Sequence, residues 1–213
     1  MADYNNRQKT RFEEERARLV LLHIKPDRYR GAVLSESPDI ICEESGIGVE
    51  VTSCMAQLFR ERESIATGIC GKLEEDLTEK QLKPIRNQDI RIKQFVDGRL
   101  IVGFAMWGDP FDIAPVLNDK IQKLNSTYRY FDTNELFVFA WLSDDDDLSK
   151  MISQIKTINF GTSKGFDSIY ILREHDSSVE IYLIQKEEKY LFKMNLDDMN
   201  KISLKAKDTI LQY

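Results

Sequence analysis

Two carboxylates stand close together in a β-prone stretch: Asp39 in Ser37-Pro38-Asp39-Ile40, and Glu50 in Val49-Glu50-Val51-Thr52, with ten residues between them. Glu44, Ser45 and Gly46 form a turn within that interval, so 39–43 and 47–54 read as two antiparallel strands. In such a pair Asp39, at the start of one strand, comes close to Glu50, near the end of the next. Side chains alternate with period two, so Glu50 and Thr52 share one face while Val49 and Val51 take the other. Two ionised carboxylates about 4 Å apart at an effective dielectric near 20 repel by roughly 4 kcal/mol. A divalent cation removes that repulsion. Mg²⁺ (or Mn²⁺) suits the pair, because Mg²⁺ takes one or two carboxylates, keeps several waters and leaves positions for phosphate oxygens. An ion held there would lower the pKa of a water and stabilise charge on a phosphodiester, so the expected chemistry is metal-assisted hydrolysis.

Softer metal chemistry finds few ligands. The chain has only His23 and His175, and its three cysteines, Cys42, Cys54 and Cys70, have no CxxC spacing. A His/Cys zinc cage and a Cys-His or Ser-His hydrolase are therefore disfavoured, and the cysteines read as small buried hydrophobes in a reducing compartment.

Other elements must hold the two acids in place. Residues 11–24 carry helix formers with Phe12, Leu19 and Leu22 toward one side, and Pro26 supplies a stop. Residues 55–86 are charged and helix-rich, with Pro84 ending the pattern, and two apolar runs then flank Asp97-Gly98 as a hairpin suited to a type I′ turn. From Asp112 the period changes to that of a helix, with Val116, Leu117, Ile121, Leu124 and Tyr128 forming an apolar stripe. The run LFVFAWL (136–142) reads as a strand buried on both faces. An acidic loop (Asp144–Asp147), a helix, and strands in FDSIYILRE and VEIYLIQ follow. These elements imply an α/β fold, a mixed sheet flanked by helices.

The arrangement S-P-D-I, then V-E-V-T, with ten residues between Asp39 and Glu50, resembles the PD-(D/E)xK nuclease superfamily, in which an Asp and a Glu-x-Lys on adjoining strands bind the metal. The order helix, hairpin, helix, buried strand is similar to the restriction-endonuclease-like αβββαβ core of that superfamily. The resemblance implies a single domain over 1–213, with its core in 11–54 and 112–184 and with 55–111 as an insertion or elaborated third strand. It also implies a metal-dependent nuclease that hydrolyses DNA phosphodiester bonds, with Asp39 and Glu50 as metal ligands. The motif lysine is Thr52 here, and a hydroxyl cannot supply the charge that orients water and offsets phosphoryl charge. In some members the lysine has moved to a neighbouring helix. Lys120, beside the stripe of Leu117, Ile121 and Leu124, is the first candidate, followed by Lys123 and then Lys72. The first helix supplies a further ligand in some relatives, and Glu14, among Glu13, Glu14 and Glu15, is the corresponding expectation.

Composition bounds these readings. The 213 residues include 36 acidic and 30 basic side chains for a net charge of −6, so overall charge does not advertise nucleic-acid binding, and any such contact must be local. No apolar run approaches a membrane span and the N-terminus is too polar for a signal peptide, so a cytoplasmic protein with no membrane contact is expected. Asp144–Asp147 lacks the glycine and terminal glutamate of an EF-hand loop and reads as a solvated helix cap. NFGTSKGF lacks P-loop spacing. The alternatives to catalysis are an inactive nuclease-like fold that binds a protein or assembles with one, and an acidic partner of a basic protein. Nucleases with one site per chain often form homodimers to cut both strands.

Overall fold

The computed structural model describes residues 2–54, 69, 72–86, 91–94, 98, 100–103, 112–140, 144–162, 164–175 and 177–211. The chain divides into two compact units, one built from Met1–Cys54 with Ile113–Tyr213 and the other from Met55–Asp112.

In the first unit, α1 (Ala2–Ile24) precedes β1 (Val33–Leu34), β2 (Ile40–Cys42) and β3 (Ile47–Cys54). In the second, a 3₁₀ turn (Glu74–Asp76) leads into α2 (Glu79–Arg86), then β4 (Arg91–Gln94) and β5 (Leu100–Gly103). The first unit resumes with α3 (Ala114–Leu124), β6 (Thr133–Ala140), α4 (Asp145–Ile158), β7 (Ser168–Glu174), β8 (Ser178–Ile184), β9 (Lys189–Asn195) and α5 (Leu196–Leu211).

Seven strands form one mixed sheet in the order β1-β2-β3-β6-β7-β8-β9. β3, β6 and β7 run parallel at its centre, while β1-β2-β3 and β7-β8-β9 are antiparallel. This is the α/β class expected, and a mixed sheet with helices on its faces. The parallel centre explains why LFVFAWL shows no alternation: seven of the eight residues of β6 are buried, as a strand covered on both faces requires.

Period-two alternation divides the side chains between two faces. Val49 and Val51 of β3, Phe137 and Phe139 of β6, and Tyr170 and Leu172 of β7 join Ala17, Val20 and Leu21 of α1 and Met199 of α5 in one core. Glu50 and Thr52 point the other way, in register with Leu136 and Val138. On that side α3 and α4 pack together and bury Leu117, Leu124, Leu148, Met151 and Ile155.

The α1 face also buries a carboxylate. Glu135, 1% exposed on β6, accepts from the Tyr29 hydroxyl, from Arg28 at 2.8 Å and from Ser168 at 2.9 Å. Tyr29 in turn meets the Tyr170 hydroxyl at 2.8 Å. Each donor has an acceptor, the condition under which a buried polar network stabilises instead of costing.

Several boundaries differ from expectation for local reasons. α2 continues through Pro84 to Arg86, the proline forfeiting the one bond that an N–H there would make to the carbonyl four residues earlier. β4 and β5 pair antiparallel from Arg91 with Gly103 to Gln94 with Leu100, and Asp97 of the expected type I′ turn lies outside the described residues. Gly98 within it has φ +80°, open to glycine without strain. α3 ends at Leu124, and Tyr128 lies beyond it. Asp144 accepts from the Asp147 N–H at 2.9 Å and caps α4, in line with the helix-cap reading of that loop. β9 and α5 extend the core past residue 184. Residues 55–71 other than Ile69, 104–111, and Trp141 and Leu142 lie outside the described residues.

Replacing Tyr29 with Phe removes one donor from Glu135 while keeping the ring in place. Urea denaturation is expected to show a loss of about 1–3 kcal/mol, and an unchanged midpoint would contradict a stabilising network.

Candidate functional site

Asp39 immediately precedes β2. Ile40 faces Val49 and Ile41 faces Gly48, so the same register carried one step further sets Asp39 across from Glu50. The Asp39 Oδ2 accepts from the Val51 N–H at 2.7 Å, which fastens the acid to the neighbouring strand. Gly48 keeps this corner closed. A Cβ there would lie 2.7 Å from the Phe131 ring and 2.8 Å from Pro38, displacing the residue that precedes Asp39.

Glu50 is 5% exposed, and its Oε1 accepts two donors. One is the Lys120 ammonium and the other is the Tyr128 hydroxyl, at 2.7 Å. Lys120 can reach because Leu117 and Leu124, three residues before it and four after, are buried and hold that flank of α3 against the sheet.

The first helix contributes a third acid. Glu14 is buried and accepts from Arg11 at 3.0 Å. Arg11 also donates to the Ser35 carbonyl at 2.9 Å and to Glu36, tying α1 to the β1–β2 connection.

The electrostatics record a local excess of negative charge. Burial, followed by the Glu50 charge, pushes the Asp39 carboxyl up to about 7; the Val51 N–H and Lys120 oppose the rise and Glu14 adds to it. Glu14 is also raised, first by burial and then by Glu36 and Glu50, against the pull of Arg11. Tyr128 is held above the ordinary phenol range by burial and by its bond to Glu50.

The structure thus gathers Asp39, Glu50 and Lys120 and adds Tyr128, with Glu14 near enough to act through its charge. Thr52 lies on the Glu50 face and is partly buried. Lys123 is turned away, its ammonium 2.7 Å from Asp119 on the exposed side of α3. Glu15 is paired with Arg18, and Lys72 belongs to the second unit. His23 is exposed, and His175 contacts Glu180 at 3.1 Å. Tyr128 was missed as a site residue because it reads as the last member of an apolar stripe. The available signal was its hydroxyl, which needs a polar partner once the ring packs inward.

Among the described residues no three His, Cys, Asp or Glu side chains converge to hold a metal ion. Asp39 and Glu50 remain as a two-carboxylate donor set, all oxygen, which fits a hard ion that keeps waters or takes phosphate oxygens as its other ligands. Among the described residues no helix is long and apolar enough to cross a membrane. No family model, curated protein or solved structure matches the chain.

The raised Asp39 carboxyl has a consequence for stability. In metal-free protein its contribution is fully present below the unfolded value near 3.8 and is lost as pH rises through about 7. Asp39→Asn keeps an oxygen for the Val51 N–H but cannot ionise. It is expected to melt with wild type near pH 4 and about 5 °C above it at pH 8 in EDTA; parallel pH profiles would contradict the buried-pair electrostatics.

Proposed function

We propose that the protein is a metal-dependent nuclease that hydrolyses DNA phosphodiester bonds at the site formed by Asp39, Glu50 and Lys120. The observation that carries this reading is the Lys120 ammonium on Glu50: a cation from α3 occupies the neighbourhood that Thr52 leaves without charge. Element order supports it as well. A helix, three antiparallel strands, a second helix and a strand parallel to the third (α1, β1-β2-β3, α3, β6) follow the αβββαβ order of the restriction-endonuclease-like core, with 55–112 between β3 and α3.

Each residue has a role that follows from its surroundings. Asp39 and Glu50 are the ligands of Mg²⁺ or Mn²⁺, held at a fixed separation by the β2–β3 register and the Val51 N–H. The ion, when bound, supplies an activated water and charge stabilisation at the phosphoryl group. Lys120 adds positive charge beside Glu50, aimed at the charge that develops on phosphate oxygens. Glu14, expected as a further ligand, does not converge with Asp39 and Glu50 among the described residues; paired with Arg11, it tunes the field as a nearby negative charge.

A second reading is an inactive relative of that fold serving as a binding or assembly module. It is favoured by the commitment of Glu50 Oε1 to Lys120 and Tyr128, which neutralises part of the site without an ion.

Cleavage of single- and double-stranded DNA with Mg²⁺ or Mn²⁺ separates the two. Glu50→Gln is expected to abolish cleavage, and equal rates in variant and wild type would assign the activity elsewhere. Lys120→Gln tests the lysine differently. It removes a positive charge that competes with the ion, so Mn²⁺ should bind several-fold more tightly by calorimetry while the rate falls about 100-fold. Weaker Mn²⁺ binding with an unchanged rate would contradict this role.

A further inference from the structure

The Tyr128 hydroxyl and the Lys120 ammonium donate to the same oxygen, Oε1 of the buried Glu50. The two donors are not equivalent. Lys120 carries a point charge at the end of a four-carbon stem that can follow a moving carboxylate, whereas a tyrosine has two side-chain torsions and a rigid ring. Tyr128 is partly buried in the segment after α3, and that segment is pinned on both sides. Its own N–H bonds the Lys123 carbonyl at 3.0 Å, and Phe131 beyond it is held by Asn134 through both backbone groups, at 3.0 and 2.7 Å. The hydroxyl therefore fixes which oxygen of Glu50 faces the protein.

This constraint matters differently for different cations. Ca²⁺ takes six to eight oxygens at about 2.3–2.6 Å and readily uses both oxygens of a carboxylate, whereas Mg²⁺ requires near-octahedral geometry at about 2.0–2.1 Å and takes single carboxylate oxygens. A glutamate with Oε1 already bonded to two donors offers one oxygen.

We propose that Tyr128 is a positioning residue that sets the cation preference of the site, restricting Glu50 to single-oxygen coordination and so favouring Mg²⁺ and Mn²⁺ over Ca²⁺. This rests on the reading of Asp39 and Glu50 as a metal site and adds to it a determinant of which ion is held. Tyr128 acts through Glu50 and touches neither ion nor substrate.

The test is the ratio of Ca²⁺ to Mn²⁺ dissociation constants, measured by calorimetry on the full chain without nucleic acid. Tyr128→Phe and Tyr128→Ala are each expected to lower that ratio about tenfold, the lower end of the effect that partners of metal ligands exert on affinity. A packing role would leave Phe like wild type and change only Ala, which would overturn the proposal, as would an unchanged ratio in both. A measurement on wild type needs no variant: infrared spectra with ¹³C-labelled glutamate carboxylates should show the wide splitting of single-oxygen ligation with Mn²⁺. The narrow splitting of two-oxygen ligation would overturn the proposal. If wild type binds neither ion at a site that Glu50→Gln removes, the metal-site reading fails together with this inference. If Mn²⁺ binding depends on Glu50 but the ratio ignores Tyr128, this inference alone fails.

Discussion

The site depends on one constraint: two acids that the β2–β3 register brings face to face inside the protein. Water is the cheapest place for a carboxylate, and Glu50 has almost no access to it. The surrounding structure offsets this cost in pieces, with the Val51 N–H on Asp39, Lys120 and Tyr128 on Glu50, and Arg11 on Glu14. The compensation is incomplete, as the raised Asp39 and Glu14 carboxyls show. A residual negative field of this kind is what a small hard cation completes.

A contrast within the same sheet sharpens the point. Glu135 lies on β6, next to β3, and is even less exposed than Glu50. Among the described residues it receives three protein donors, a guanidinium and a tyrosine among them, and has no second carboxylate among its partners. That arrangement fixes structure. Asp39 and Glu50 are instead set together as like charges, and that contrast is what the proposed metal site rests on.

How much of this was legible in the sequence varies with the range of the interaction. Asp39 opposite Glu50 follows from alternation and a short turn, both local features, and the β6 run follows from its lack of alternation. Lys120 was legible as a cation on the flank of an apolar stripe. Its partner was not, because a side chain four carbons long can serve either a solvated face or a buried acid. Lys123 has a similar local pattern, and only packing separates the two, turning one to Glu50 and the other to Asp119. β9 and α5 escaped notice for a related reason. β9 is an edge strand with most of its residues exposed, and Tyr190, Leu191 and Phe192 run together without the period-two alternation that marks a half-buried strand.

The central claim is that Asp39 and Glu50 together hold a divalent cation. Anomalous diffraction from crystals soaked in Mn²⁺ addresses it most directly. The account predicts a peak between the two carboxylates, with the Lys120 ammonium remaining beside Glu50. Full Mn²⁺ exposure with no peak there, and Lys120 and Tyr128 as the only partners of Glu50, would contradict it.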